Sequence, residues 1–385
     1  MFLLLVAPPA FALDKEHEVK GSEIARKAIA YLQRTQNKET GGWVIADNAP
    51  DLPGITAMAL QGMLLEPGIT TRDESVSRAA EYLLKMQRDD GSIYDGVLPA
   101  YNTSLAVSAL AMFNDDNIKK HVDKAVAFIK NAQWSGKKDK SGRPVDETHP
   151  FYGGVGYGSH GRPDLSNLSI ALQALHDAGV PGSDESFRRA VVFLQRTQML
   201  DEVNDMPYAD NSEQGGFIYS TSIDEDHPGS GESKAGTTEE SRGKGRPVSS
   251  LRCYGSMTYA GFKSYIYADL KPDDPRVKAA FNWIRQNYTL AENPGMGNDG
   301  YYYYLVTMSK ALNAAKVKYI TPVDQENNKS EPHDWANDMI DRLAELQKED
   351  GSFAILSSRW MEDQPILVTC YALLAVQYAL GRNEN

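Results

Sequence analysis

A short pattern repeats six times along the chain, and this repeat limits the possible folds more than any other feature. Each copy contains the end of an amphipathic helix, a glycine-rich turn and a second helix that is apolar on most sides. Five of the amphipathic helices end in glutamine: Gln36, Gln87, Gln133, Gln198 and Gln347. The remaining copy has Tyr288 at this position. One such helix pair cannot bury its own apolar surface, so the copies must pack against one another.

The turn of each copy combines glycine with an aromatic side chain. Examples are Gly42-Trp43, Gly216-Phe217 and Gly351-Ser352-Phe353. Glycine allows a turn with positive φ, and the side chain that follows can pack back between neighbouring helix pairs. In the clearest copy, residues 82–113, we expect Tyr94 to be this buried aromatic residue.

The second helix of each copy is predicted to lie inside a ring formed by the first helices. The pattern predicts these inner helices at residues 55–64, 102–113, 166–178, 254–270, 302–315 and 367–380. The amphipathic helices have one polar face, as an outer ring requires. Six pairs can close on themselves, so the sequence predicts an all-α fold, a single (α/α)6 toroid.

The connections between helices predict where a ligand would bind. The links from an outer to an inner helix are long, above all residues 199–252, whereas most links in the other direction are short. The long links must all lie at one mouth of the barrel, and long loops on a rigid scaffold commonly carry function. The polar, Gly/Ser-rich residues 222–247 are predicted to be a flexible insertion there.

Composition narrows the classes of function. The 385 residues are 41% hydrophobic and 24% charged, which is enough for one large core. The net charge of −12 argues against nucleic acid or an anionic membrane as the main partner. The two cysteines, Cys253 and Cys370, form no disulfide framework and no metal-binding pair, and we expect neither a cofactor nor a metal.

The first twelve residues resemble the end of a secretory signal peptide. A short apolar segment precedes Ala10-Phe11-Ala12, which matches an A-x-A cleavage site, although a basic segment is missing before it. The alternative interpretation is an apolar N-terminal arm. No other stretch is long and apolar enough to span a bilayer. We therefore expect a signal-peptide remnant at 1–12, a toroid domain at 13–385, and a secreted or periplasmic protein.

The repeat resembles the QW repeats of squalene-hopene cyclases and the repeats of protein prenyltransferase β subunits. The resemblance is carried best by residues 87–94, 163–175, 347–353 and 364–376, and it extends over essentially all of 21–381. It implies a terpene cyclase-like α/α toroid. It does not imply one activity, because one fold hosts many functions.

The residues that give this family its known activities are missing. There is no DxDD acid, and Asp224-Glu225-Asp226-His227 lacks its fourth Asp. The segments that resemble the prenyltransferase zinc site have Leu251 and Val368 where the ligands Asp and His would stand. No GCGEQ thioester motif is present. The resemblance therefore leaves the activity unassigned, and leaves open whether the protein is an enzyme.

Polar and aromatic residues at the starts of the inner helices are the candidate site. As catalytic residues we consider Tyr254, Asp299 and Tyr302. The candidate ligand-binding residues are Asn102, Asn167, Arg252, Tyr254, Tyr259, Tyr302 and Tyr303. An aromatic wall, to which Tyr265 would also contribute, suits apolar chains, carbocations or sugar faces. The alternative is structural, since Asn and Asp are common helix caps and tyrosine is a common core residue.

Three hypotheses of function remain open. An apolar cavity with a buried carboxyl group would favour an enzyme or binding protein for an isoprenoid-like ligand. An open, wet cleft with convergent Arg and Tyr would favour a carbohydrate-active lyase or hydrolase acting on a glycan, with His149 and His160 as further candidates. A lumen filled by side chains would favour a non-catalytic scaffold.

Overall fold

The computed structural model describes residues 13–44, 52–158, 161–241, 247–323 and 330–382. In these residues twelve α-helices form six pairs. The first members of the pairs are α1 (Lys15–Thr35), α3 (Glu74–Lys85), α5 (Asp116–Ala132), α7 (Glu185–Thr197), α9 (Pro275–Gln286) and α11 (Trp335–Leu346). The second members are α2 (Pro53–Leu64), α4 (Pro99–Leu110), α6 (Leu165–Asp177), α8 (Gly255–Tyr267), α10 (Tyr301–Ala314) and α12 (Pro365–Ala379).

The first members have the sequence signals of surface helices. Most of them begin at an aspartate whose side chain accepts a hydrogen bond from the backbone of the first turn, as Asp115 does from the N–H groups of Asn117 and Ile118. Such a cap satisfies donors that the helix itself leaves unpaired. Each of these helices buries one face and exposes the other, so these helices form the outer ring.

The second members are buried on nearly all sides. In α12, for example, every residue from Leu367 to Ala379 is buried. Neighbouring inner helices are in contact all the way round the ring, including α12 with α2. Helices α1 and α11 close the outer ring. The predicted (α/α)6 toroid is therefore confirmed, and the inner helices begin within three residues of their predicted starts.

In five of the six repeats, a glutamine side chain hydrogen-bonds both its own turn and the next outer helix, and we call this arrangement a glutamine joint. The Gln36 side-chain nitrogen donates to the carbonyl of Gly41 in its own turn and to the carbonyl of Ser75 in the next outer helix, both at 2.8 Å. The same two bonds recur at the other four glutamines: Gln87, Gln133, Gln198 and Gln347. The bond from Gln347 to the Ile24 carbonyl joins the last pair to the first, so the joint also closes the ring.

A glycine is required at each joint. Gly153 has φ +81°, and a Cβ atom there would lie 1.8 Å from the carbonyl oxygen of Arg189 in the next outer helix. The residue that fills the seam beside this turn is Trp43, Ile93, Val155, Phe217 or Phe353, according to the repeat, and each is buried. The expectation for Tyr94 is wrong, because Tyr94 is only partly buried and packs its ring on the Arg88 guanidinium at 3.8 Å. Ile93 takes the buried position.

The long link between α7 and α8 contains secondary structure that its composition did not predict. Strand β1 (Ser220–Ser222) pairs with β2 (Pro228–Glu232), and β3 (Thr237–Glu240) pairs with β4 (Val248–Leu251), both antiparallel. A third pair, β5 (Tyr319–Ile320) with β6 (His333–Asp334), lies between α10 and α11. Two 3₁₀ helices, Pro207–Ala209 and Arg359–Met361, lie in links at the mouth. Within the described ranges, no helix combines the length and apolar character needed to cross a membrane.

Candidate functional site

A cavity of about 340 Å³ lies at the mouth of the barrel, where the inner helices begin. Its walls include residues at or just before the starts of the inner helices, among them Leu52, Leu98, Tyr254 and Leu367. The volume falls within the range of small-molecule sites, roughly 300–1,000 Å³. The site is therefore at the end of the barrel that the loop lengths predicted.

Six tyrosines line this cavity and give it an aromatic wall: Tyr101, Tyr157, Tyr219, Tyr254, Tyr303 and Tyr371. Burial raises the pKa of Tyr101 and of Tyr157 to about 12, and it raises the pKa of Tyr254 well above its usual value. These hydroxyl groups therefore stay protonated at neutral pH and can donate hydrogen bonds. The Tyr303 hydroxyl pairs with the Ser166 hydroxyl at 2.8 Å. Tyrosine rings at this density suit an apolar or cationic ligand.

One carboxyl group, that of Glu362, belongs to the cavity wall. Its side chain is buried, and its oxygens accept hydrogen bonds from the backbone N–H groups of Tyr302 (3.2 Å) and Tyr303 (2.9 Å) at the start of α10. Burial raises the pKa of Glu362 to about 7, although these hydrogen bonds oppose the shift. A substantial fraction of Glu362 is therefore neutral near pH 7 and able to donate a proton.

A second buried carboxyl group, that of Asp164, lies close to the tyrosine wall. Asp164 precedes α6 and accepts hydrogen bonds from the Asn167 backbone (2.9 Å) and the Asn167 side chain (2.8 Å). Burial raises its pKa to about 6, and these bonds, with Arg162 and Tyr219, oppose the rise. Its charge in turn raises the pKa of Tyr157 and Tyr219. The charge of Asp164 thus adds to the effect of burial in keeping these two tyrosine hydroxyl groups protonated.

Strained backbone is concentrated at this cavity. Leu98, Trp360 and Met361 have φ of 55°, 55° and 66°, and all three line it. Large side chains rarely adopt this conformation, which costs of order 1–3 kcal/mol per residue. The Trp360 ring remains 45% exposed at the rim. Strain of this kind persists where the surroundings enforce it, commonly at functional sites.

The structure places two of the predicted site residues in the cavity wall and a third beside a carboxyl group close to it. Tyr254 and Tyr303 line the cavity. Asn167 does not, but its side chain holds Asp164 through the 2.8 Å hydrogen bond. These three residues lie at the starts of α6, α8 and α10.

Other predicted site residues face away from the lumen. The Tyr302 hydroxyl donates to the Ala354 carbonyl at 2.7 Å, and the Tyr259 ring packs on Tyr304. Tyr265 donates to Gln198 at the joint, at 2.9 Å. The Asn102 side chain accepts from the Gly54 N–H at 2.9 Å and fastens α4 to α2. Helical rotation turns these side chains toward the core between helices.

The remaining candidates lie outside the cavity. Arg252 is exposed, and its Nε donates to the Thr237 carbonyl. Asp299 forms a half-exposed ion pair with Arg359 at 3.0 Å, which ties down the segment that carries Glu362. His149 is buried against Asp139 at 3.1 Å in a loop, and His160 lies outside the described residues. Cys253 and Cys370 are buried free thiols.

Several wall residues were not identified from the sequence: Glu362, Trp360, Tyr101, Tyr157, Tyr219 and Tyr371. Glu362 lies in no DxDD pattern, so no local sequence signal marks it as a buried acid. For Tyr371 the sequence offers one signal. Tyr371 follows Leu367 by four residues, so the two side chains lie on one face of α12, the face that lines the cavity. In the described part of the chain, no group of three or more His, Cys, Asp and Glu side chains could hold a metal ion.

Comparison with known proteins agrees with this architecture. The family model of the squalene-hopene cyclase C-terminal domain matches residues 44–212. The type II terpene cyclase MstE from Scytonema superposes with a TM-score of 0.56 at 14% identity, over 95% of this chain and all of that one. A variant of MstE in complex with geranylgeranyl dihydroxybenzoate, its substrate, gives 0.53 at 14% identity, over 96% of this chain and all of that one.

The same toroid is shared by a carbohydrate enzyme. The GH76A α-1,6-mannanase from Salegentibacter sp. HEL1_6 gives a TM-score of 0.56 at 10% identity, over 94% of this chain and all of that one. No curated protein matches the sequence. The chain therefore has the α/α toroid fold that the repeat predicted, and residues 44–212 are similar to the squalene-hopene cyclase C-terminal domain. Identities this low show the fold and not the activity.

Proposed function

We propose that this protein binds an isoprenoid-like, unsaturated apolar molecule in the tyrosine-lined cavity, and that Glu362 donates a proton to it. The observation that supports this most is a single buried carboxyl group in the wall of a largely apolar and aromatic cavity, which also includes Ser166 and Ser256. A carboxylic acid kept neutral by its surroundings can act as a general acid.

The proposed reaction starts at the Glu362 carboxyl. Its proton passes to a carbon of a C=C bond, whose π electrons form the new C–H bond and leave a carbocation on the neighbouring carbon. The carboxylate that remains is stabilised by the N–H groups of Tyr302 and Tyr303. The faces of the wall tyrosines attract the cation. Loss of a proton from a neighbouring carbon back to Glu362 restores the acid and gives an isomerised or cyclised product.

The alternatives receive less support from the site. A glycan-binding cleft needs convergent polar groups, whereas Arg252 is exposed and away from the cavity and the wall is largely apolar. A scaffold without a ligand would not need the cavity or the strained residues around it. Export beyond the cytoplasm stays a prediction, since residues 1–12 lie outside the described ranges.

The experiment compares Glu362→Gln with Asp363→Asn, a change at the adjacent exposed carboxyl group. Binding of farnesol and of longer linear prenyl alcohols is followed by quenching of tryptophan fluorescence, since Trp360 borders the cavity. Products are identified by mass spectrometry. We expect all three proteins to bind, and only Glu362→Gln to lose turnover, by 100-fold or more (of the order seen for a general acid).

Two results would contradict the proposal. The first is an absence of binding of any prenyl probe to the unmodified protein. The second is binding with turnover that Glu362→Gln leaves unchanged, which would remove Glu362 as the acid while keeping the cavity as the binding site.

A further inference from the structure

A second, smaller cavity lies deeper in the lumen. It has a volume of about 40 Å³ and shares Tyr101, Tyr303 and Tyr371 with the wall of the mouth cavity. The two spaces are therefore neighbours that share these three side chains. A space of this volume holds roughly three water-sized groups.

The wall of the deeper cavity includes several polar side chains among apolar ones such as Met58 and Leu374. Ser108, Gln173 and Lys310 follow the mouth residues Tyr101, Ser166 and Tyr303 by seven residues on their helices. Seven residues are two helical turns, so these side chains share a face about 10 Å deeper in the barrel. Lys263 stands in the same relation to Ser256 on α8. The inner helices thus carry a polar level below the aromatic one.

Two lysines dominate this level. Lys263 and Lys310 are 4% and 8% exposed, and both line the deeper cavity from adjacent inner helices. The Lys263 ammonium donates to Gln173 Oε1 at 3.0 Å, and the Lys310 ammonium donates to Gln61 Oε1 at 3.4 Å. Buried lysine is uncommon in folded proteins because its ammonium group must give up water.

Aromatic rings and a carboxylate also lie near the two lysines. The Lys263 ammonium lies 5.7 Å from the centre of the Tyr267 ring, and that of Lys310 lies 5.2 Å from the Tyr378 ring. The Asp177 carboxylate accepts a hydrogen bond from the Gln173 amide nitrogen at 2.8 Å, so its charge is one side chain away from Lys263. Glutamine oxygens and tyrosine rings position both ammonium groups at the cavity without filling it.

We propose that the ligand carries a carboxylate at one end, and that Lys263 and Lys310 bind this group while the apolar chain occupies the mouth cavity. The inference rests on the proposed function of the mouth cavity and specifies the class of ligand, an isoprenoid-type acid. A carboxylate has three non-hydrogen atoms and fits the deeper space, whereas a phosphate group is larger. Hydrogen bonds between ammonium and carboxylate are among the strong ones, and burial strengthens them further.

The test compares two probes with the same chain, farnesoic acid and farnesol, on the full-length protein. Dissociation constants are measured by calorimetry at pH 7.5, where the acid is ionised. We expect the acid to bind about tenfold or more tightly than the alcohol, as a charge-assisted hydrogen bond predicts. Equal affinities would overturn the inference and leave the proposed function standing, whereas no binding of either probe would overturn both.

Variants of the two lysines test whether these residues cause the tighter binding of the acid. Lys263→Met and Lys310→Met keep the length of the side chain and remove its charge, and each should lower the affinity for the acid at least severalfold while farnesol binding stays the same. Unchanged farnesol binding also shows that the variant is folded. Lys278→Met, on the exposed face of α9, is the control and should keep the full preference. If the protein with both substitutions still bound farnesoic acid more tightly than farnesol, the carboxylate would bind elsewhere and the inference would be overturned.

Discussion

The glutamine joints and the mouth cavity are built from the same repeat, yet they use its residues in opposite ways. At the joints, each glutamine satisfies two backbone carbonyls, and each glycine occupies a position that no other residue fits. At the mouth, leucine, tryptophan and methionine adopt positive φ, and a carboxyl group is buried. The hydrogen bonds at the joints stabilise the folded state, whereas the backbone strain and the buried carboxyl group at the mouth destabilise it. Function is therefore expected where the copies differ, because a stable ring can sustain local strain there.

The largest effect is expected for Gly153→Ala at a joint. The added Cβ would lie 1.8 Å from a backbone oxygen, at φ +81°. We expect a loss in the free energy of unfolding of more than about 4 kcal/mol, or no folded protein at all. Urea denaturation measures the loss.

The matched control is Gly142→Ala, which has φ +87° and no atom within 4 Å of the added Cβ. It carries the backbone strain without the collision, so it should cost only about 1–2 kcal/mol. Equal losses for the two variants would mean that close packing at the joint is unimportant.

The pH dependence of stability tests the strain at the mouth. Because burial raises the pKa of Glu362 from 4.5 to about 7, the folded protein binds more protons than the unfolded chain between these pH values. Stability therefore falls as pH rises through this window. Relative to Glu362→Gln, the unmodified protein should lose on the order of 3 kcal/mol between pH 4 and pH 8.

The measurement is chemical denaturation of both proteins across that pH range. A constant difference between the unmodified protein and Glu362→Gln would show that the Glu362 carboxyl is not held neutral. The mouth would then lack the property that separates it from the joints.

Replacing a joint glutamine should lower the free energy of unfolding by less than replacing the glycine of a joint. Gln36→Leu leaves the carbonyls of Gly41 and Ser75 without their 2.8 Å partner and should cost about 2 kcal/mol. The control is Gln33→Leu, a change at an exposed position of the same helix, α1. It should lower the free energy of unfolding by less than about 0.5 kcal/mol. Thermal unfolding compares them, and similar losses would remove the glutamine as a determinant of ring closure.

The smallest effect is expected at the ion pair between Asp299 and Arg359. Both side chains are about one third or more exposed, so Arg359→Ala should change the free energy of unfolding by less than about 1 kcal/mol. The pair nevertheless ties down the segment that carries Glu362, so the affinity for a prenyl probe should fall more than stability does. A large loss of stability without a change in affinity would make this segment part of the scaffold instead.

The sequence predicted more of the ring than of the site. Gln36 and Gly41 are close together in the chain, and the periodicity of the helices fixed which faces are buried. The cavity wall instead joins residues as distant as Leu52, Tyr219 and Glu362, and no local pattern relates them. Tyr254 and Tyr303 line the cavity, whereas Tyr302 and Tyr259 turn toward the core between helices, because successive residues of a helix are rotated by about 100°.

The amino-acid sequence by itself determined the number of helix pairs, the closed ring and the mouth at which the long links meet. These depend on apolar periodicity and turn chemistry, which act over a few residues. Tertiary structure alone decided that Ile93 and not Tyr94 fills a seam, that Glu362 is buried against the start of α10, and that Lys263 and Lys310 meet at one depth of the lumen. The physical reason is that burial and charge depend on neighbours from distant parts of the chain, which only the closed ring brings together.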